Sequence, residues 1–394
     1  MSILLLGVIY IAFIGLGIPD AVFGSVWPAI HTDFGVDVSM ATAVTMTTTI
    51  GSMLMSLVSA RIIKRLGTAR VTAICTVLTA SALYGFSVSD GIVKMMLLAL
   101  PLGLGGGCID AALNNYVAVN YRASHMSFLH CFYGVGVAAS PYIMSLALGS
   151  STDWRQGYRT VFFVQASIAL VTILSLPLWR LAGGKEASEA KRSETSTSPF
   201  ILLKQKRMLL CCAVFTSSCA IEMTCCAYGS SFLVFARGLS EADAAMMISV
   251  CYAGLASGRL CSGFLSRRLQ PDGIVLLGMS ILCLGLLLLL IPGGGLLAGI
   301  AMFLIGFGNG PIFPNMVHLT PKRFEDSQAA MGVEMTAGYA GVLGSPIICG
   351  IIARFVGVEN IVWYLLVLFA LLVTSILLLR RDESQASQKN LKKL

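Results

Sequence analysis

The chain has 394 residues, of which 56% are hydrophobic and only 12% charged, with a mean hydropathy of +0.84. An aqueous domain carries roughly 25% charged residues, so this composition excludes a water-soluble globular protein. At roughly 30 residues for a membrane span and its loop, the length corresponds to about twelve spans.

Stretches of about 20 residues poor in charge predict helices near 3–30, 39–60, 70–88, 94–120, 126–149 and 158–180, then near 207–236, 242–266, 272–291, 295–318, 327–353 and 358–380. The opening residues MSILLLGVIYIAFIGLG have no basic leader and no small-residue cleavage site, so they read as a retained first span. Gly273 to Val317 holds no charged residue, which is too long for one span, and Pro292-Gly-Gly-Gly divides it into two. The predicted fold is an all-α membrane protein with twelve transmembrane helices in two six-helix bundles. The bundles are predicted over 1–182 and 207–382, joined by a charged, Ser/Thr-rich cytoplasmic linker at 183–206 and followed by a cytoplasmic tail at 383–394.

Basic loops resist translocation. With the amino terminus inside, every Lys and Arg except Lys94, Arg155, Arg159, Arg237 and Arg354 falls on the inner side. Both termini are therefore predicted to be cytoplasmic, in a multi-pass protein of the cell membrane. The net charge of +8 is explained by topology and anionic lipid headgroups rather than by nucleic acid. The twelve cysteines sit singly in apolar runs or as the adjacent pairs Cys211-Cys212 and Cys225-Cys226. Adjacent helical residues point about 100° apart and chelate one ion poorly, so these are read as small apolar side chains. No metal and no cofactor is expected.

The halves repeat. GVGVAASP at 134–141 answers YAGVLGSP at 339–346, 205 residues later, and the basic turn around Arg65 answers Arg267-Arg268. Two six-helix repeats of the same orientation are related by an axis along the membrane normal, an arrangement that implies a substrate site between the halves at mid-membrane.

Ionisable groups inside spans cost several kcal/mol (roughly 3 or more) unless paired or hydrated, so they mark function. Four acids qualify: Asp20, Asp110, Glu222 and Glu334. Phe23 and Trp27 follow Asp20 on one helical face, so an acid could bond the edge of a ring-shaped polar solute while the indole covers its flat face. Asp110 and Asn114 lie one turn apart, where a carboxylate and an amide can grip a polyol. His130 can donate, accept or relay a proton, or serve as a plain interhelical partner. Asn309 and Asn315 lie in GNGPIFPN, where they face a solute or satisfy broken helix backbone. Glu334 lies near the inner mouth or deeper in the cleft. The run GLGGG at 103–107 resembles a phosphate loop, but it sits in an apolar helix with no preceding strand, and close helix packing explains it better.

Over essentially its whole length the chain resembles the major facilitator superfamily, and several motifs are similar to its fucose/galactose/glucose–proton symporter branch. Asp110-Ala111-Ala112-Leu113-Asn114 followed by YVAV resembles the helix 4 signature of that branch, and Glu222, Gly229 and Phe232-Leu233 resemble helix 7. Phe313-Pro314, Gly258-Arg259 and Asp20 resemble features of helices 10, 8 and 1. The chain departs from the branch in having Asp rather than Glu at 110, His130 where Gln is typical, and RIIKRLG, which keeps Gly67 but lacks the usual Asp of that turn.

The resemblance implies secondary active transport by alternating access, with protons and a sugar or related small solute as partners, in a lipid bilayer, by a monomer. It implies Asp110 as the proton-coupling acid, with Asp20, Glu222 and Glu334 as further coupling candidates. Asp20, Trp27, Asn114 and His130 form the amino-terminal half of the implied pocket, with Glu222 and Asn309 opposite. A proton-driven exporter of drugs or metabolites with the same fold is the alternative. A membrane sensor has no signalling domain here. A membrane enzyme is not expected either, since no span shows paired metal-ligand spacing or an assignable Ser/His/Asp set.

Overall fold

The computed structural model describes residues 2–36, 40–151, 153–182, 197–239 and 241–391, which form fifteen α-helices and a short 3-10 turn, with no strand among the described residues. In the first half these are α1 (Ser2–Phe34), α2 (Met40–Leu66), α3 (Thr68–Ser87), α4 (Ile92–Asn120), α5 (Ala123–Ser151), α6 (Trp154–Leu174) and α7 (Leu176–Ala182). The second half holds α8 (Pro199–Leu202), α9 (Lys206–Arg237), α10 (Glu241–Leu265), α11 (Pro271–Leu290), α12 (Gly295–Asn309), α13 (Ile312–Arg323), α14 (Ser327–Phe355) and α15 (Ile361–Leu391). The predicted linker lies outside the described residues as far as residue 196.

Each predicted stretch is helical, and eleven described helices or helix pairs are long and apolar enough to cross a bilayer. The twelfth long helix is α5, whose 29 residues include no Asp, Glu, Lys or Arg. Helix ends follow local chemistry. Gly67, at φ 81°, turns the chain between α2 and α3, and Gly238, at φ 66°, ends α9 with its N–H on the Val234 carbonyl. Both are left-handed conformations that a side chain resists. The predicted break at 292–295 separates α11 from α12, and the tenth predicted span is itself divided between α12 and α13 at Gly310-Pro311.

The chain forms two compact units, Met1–Ser196 with Thr320–Thr336, and Thr197–Leu319 with Ala337–Leu394. In the first unit α4 lies backbone to backbone on α2. A Cβ at Gly103 would stand 1.9 Å from the Thr48 carbonyl oxygen and one at Gly107 2.2 Å from that of Ser52. Ser52 and Ser56 donate their hydroxyls to the Gly103 and Gly107 carbonyls at 3.0 Å. The glycine run is thus a packing surface, as small residues are at helix contacts in lipid. In the same way α1 crosses α5, where Gly136 would clash with the Ile14 carbonyl at 2.1 Å and Gly17 with that of Tyr133 at 2.2 Å. An apolar cluster that includes Ile18, Phe23, Trp27, Phe86 and Tyr158 fills the space between α1, α3 and α6.

Arg155 fastens this cluster at one end. Its Nη1 bonds Asp33 Oδ2 at 2.8 Å, its Nη2 donates to the Ser89 carbonyl at 3.1 Å, and its guanidinium lies 4.2 Å from the Trp154 ring centre. One side chain therefore ties α1, the α3–α4 turn and α6. Arg155→Ala is expected to cost about 2 kcal/mol, since it removes an exposed ion pair, a hydrogen bond and a cation–π contact. A thermal melt in detergent checks this, and an unchanged Tm would show the contact to be idle.

Residues 320–336 complete the first unit. Asp326 accepts the Ala329 N–H as it caps α14, and its other oxygen meets Lys64 Nζ at 2.9 Å. Thr336 donates to the Met53 carbonyl at 3.2 Å, and Gly332 fits against the Ser56 carbonyl.

The second unit repeats the internal scheme of the first. Gly306 on α12 would clash with the Cys251 carbonyl of α10 at 1.9 Å, as Gly103 would with Thr48, and Gly341 on α14 faces the Thr216 carbonyl of α9 as Gly136 faces Ile14. Hydroxyls bind α9 to α14 through Thr216 to the Ala337 carbonyl at 2.8 Å and Thr224 to Ser345 at 2.6 Å.

Candidate functional site

The polar groups of the first unit fall into separate arrangements. On α4, Asn114 donates its Nδ2 to Asp110 Oδ1 at 2.7 Å, as the one-turn spacing dictates. Asn114 is fully buried, Asp110 half-buried, and among the described residues Asn114 Oδ1 has no hydrogen-bond partner. A buried acceptor left over beside a carboxylate is a place where a solute hydroxyl or water can bond.

On α1, Asp20 is exposed and accepts the Tyr133 hydroxyl of α5 at 2.5 Å. The Gly17 and Gly136 contacts let the two backbones approach closely enough for that bond. Trp27 is 5% exposed, inside the apolar cluster, with its ring 5.2 Å from Phe23 and 6.1 Å from His31. His130 is buried on α5 with its ring edge-on to Phe13 at 5.6 Å. Glu334 is fully buried and accepts the Thr320 hydroxyl at 2.5 Å.

In the second unit, Glu222 and Asn309 line one cleft of about 290 Å³, the open space at its mouth included, together with Cys226, Cys251, Tyr252 and Ile305. Asn309 is held to α9 at both ends. Its Oδ1 accepts the Ser218 hydroxyl at 2.8 Å, and its Nδ2 donates to the Ser218 carbonyl at 3.1 Å. Asn315 donates to Ser262 Oγ at 2.8 Å and to the Pro311 carbonyl at 2.7 Å, where the helix is interrupted. Of the two asparagines in GNGPIFPN, Asn315 serves the broken backbone and Asn309 stands at the cleft.

Two residues join this set that the sequence does not place in the site, Tyr133 and the Arg259 of the Gly258-Arg259 resemblance. Tyr133 carries no signal of its own, three positions after His130. Arg259 does carry one, a charge inside an apolar stretch, yet its place near the Arg267-Arg268 turn groups it with the basic loop. The structure puts it within α10, which runs on to Leu265, and its Nη2 lies 3.6 Å from Glu222 Oε2.

The family model of the Major Facilitator Superfamily matches residues 9–344. The chain belongs to the Major Facilitator Superfamily. It is a membrane protein of that family, and the expected fold is the one observed. Among curated relatives it is 25% identical over 318 residues to the Saccharomyces cerevisiae protein "Bypass of stop codon protein 6", covering 70% of this chain and 62% of that one. It is 21% identical over 337 residues to the human "Sodium-dependent glucose transporter 1", covering 78% and 65%. The chain thus spans less than two thirds of the length of either relative. The crystal structure of the Escherichia coli fucose:proton symporter FucP superposes with a TM-score of 0.73 at 14% identity, over 96% of this chain and 98% of that one. At that identity the likeness is one of fold.

Proposed function

We propose that this transporter moves a sugar or similar small polar solute together with protons, by alternating access, as a monomer in the cell membrane with both termini cytoplasmic. The observation that carries the reading is the Asp110–Asn114 pair. A carboxylate and a fully buried amide bond each other on one face of a membrane helix, and a spare amide acceptor lies beside them. That is a grip for hydroxyls, next to a group able to take up a proton. The human relative, named as a glucose transporter, and FucP, a fucose:proton symporter, support the solute class.

In this reading Asp110 couples the proton, with Asp20, Glu222 and Glu334 as further acids. Asn114, Asp20 and His130 contribute to solute binding from the first unit, and Glu222 and Asn309 from the second. Trp27 enters differently from its sequence-based role. Packed among Phe23, Phe86 and Tyr158, it backs the α1 face from behind rather than stacking on a solute.

The test is purified protein in liposomes with an imposed pH gradient, offered a panel of sugars and polyols. Uptake of a panel member that vanishes when the gradient is collapsed is the expected result. Uptake driven by sodium alone would replace the proton in the reading, and no uptake of any neutral panel member under either gradient would overturn the solute class.

A further inference from the structure

We infer that Arg259 is the positioning counter-ion of Glu222, that the two together make the cleft of the second unit electrically neutral, and that its ligand is therefore an uncharged, hydroxyl-bearing molecule with an apolar face.

The geometry begins with how α10 is held. Glycines on both helices let α10 and α12 touch. A Cβ at Gly254 or Gly258 would stand 2.2 Å from the Phe303 or Phe307 carbonyl, and one at Gly310 2.5 Å from that of Leu255. No long side chain separates the two backbones, so α10 is fixed along the turns that lead into Arg259. The side chain of Arg259 is 11% exposed and that of Glu222 29% exposed. At 3.6 Å the contact is one of charge with charge, just beyond hydrogen-bonding distance. Among the described residues Arg259 Nε has no hydrogen-bond partner, so Glu222 is the carboxylate that offsets this buried cation.

The chemistry of the cleft follows from that pairing. A half-buried Glu222 standing alone would attract an amine, and the wall of Ile221, Ile248, Leu255 and Ile305 would favour lipophilic cations. With Arg259 present that attraction is cancelled, because an incoming cation would have to compete with a counter-ion already in place. What the cleft still provides is the Tyr252 ring and an aliphatic wall, with the Glu222 side chain, 29% exposed, at its border beside Arg259. Such a surface fits the polar edge and apolar face of an uncharged polyol. The ligand class rests on the transport reading above, whereas the charge balance of the cleft does not.

Cys226 lines the cleft and is exposed, and Cys261 is exposed outside it. This allows the balance to be measured whatever the protein carries. The full chain in detergent is exposed briefly to trimethylammonium-ethyl and to sulfonatoethyl methanethiosulfonate, and modification of each cysteine is read by peptide mass spectrometry, with Cys261 as internal reference. In the unaltered protein the cationic and anionic reagents are expected to label Cys226 at rates within about threefold of each other. Arg259→Gln raises the cation-to-anion ratio on the order of tenfold, the effect of about 1.4 kcal/mol from one uncompensated charge at short range. Glu222→Gln lowers it, and the double variant E222Q/R259Q returns it toward the starting value. Arg259→Lys, which keeps the charge, leaves it near that value. A ratio in Arg259→Gln equal to that of the unaltered chain overturns the inference, as does a double variant that behaves like either single one. If Arg259→Gln fails to fold, the double variant and Glu222→Gln still decide the question by the same ratio. Loss of the symport reading would appear separately, as an absence of neutral-solute uptake in liposomes with the labelling pattern unchanged.

Discussion

In liposomes the Asp110→Asn chain is expected to exchange labelled solute across the membrane but to accumulate none against a pH gradient. Asparagine has the shape of aspartate and can still accept the Nδ2 hydrogen of Asn114, so the 2.7 Å contact on α4 and the packing around it survive. What is lost is a side chain that binds and releases a proton. With one proton per solute, a gradient of one pH unit supports an accumulation of about tenfold at zero membrane potential, since each unit is worth about 1.4 kcal/mol. The variant is expected to reach a ratio of about one. Counterflow, which needs binding and reorientation but no net proton movement, continues at a reduced rate. Full accumulation by Asp110→Asn would transfer the coupling role to another acid, and loss of counterflow as well would show that Asp110 is needed for binding or folding rather than for coupling.

The other large effect is structural, and the glycine run supplies its own control. Gly103→Ala puts a methyl group 1.9 Å from the Thr48 carbonyl oxygen, where the obstacle is backbone and cannot rotate away. The helices must separate, which also stretches the Ser52 and Ser56 bonds to α4. The expected cost is about 3 kcal/mol, the upper range for overpacking, and on the order of 10 °C in Tm. Gly306→Ala, at the matching contact of the second unit, is expected to behave alike. Gly106→Ala lies in the same run, but its nearest neighbour is a leucine methyl at 3.6 Å, an ordinary contact. It should melt with the unaltered protein. Equal losses for Gly103→Ala and Gly106→Ala would mean that contact with α2 does not govern the run, since helix propensity alone favours alanine at both positions.

Much of the fold is legible because bilayer thickness imposes a length scale on the chain. Runs such as Gly273 to Val317 can be divided only where Pro292 and the glycines after it permit, and α11 and α12 end and begin there. The turn at Gly67 and the interruption at Gly310-Pro311 are equally local. The acids are legible for a related reason, since a carboxylate in an apolar stretch stands out against its neighbours. Asp110 with Asn114 could be paired on paper because one helical turn joins them.

Trp27 was not legible in the same way. Its spacing from Asp20 puts both on one face of α1, but a face is wide enough to hold an exposed carboxylate and a ring packed against Phe23 and near Phe86 and Tyr158. Asn309 and Asn315 look alike in GNGPIFPN and do different work, because only one of them reaches across to Ser218 on α9.

Hydropathy and spacing along the chain are enough to find the apolar stretches long enough to span, the repeat of the halves, and the acids that lie within those stretches. These are properties of short stretches and of their hydropathy. What each acid meets depends on how the helices pack. Asp20 meets the hydroxyl of Tyr133 on α5 and Glu222 meets the guanidinium of Arg259 on α10. Those partners lie on other helices, and for Asp20 and Tyr133 the reach is set by the Gly17 and Gly136 contacts, where two backbones touch. A hydrogen-bond donor and a fixed positive charge act differently on a carboxylate, so the same type of residue in two spans can have two roles.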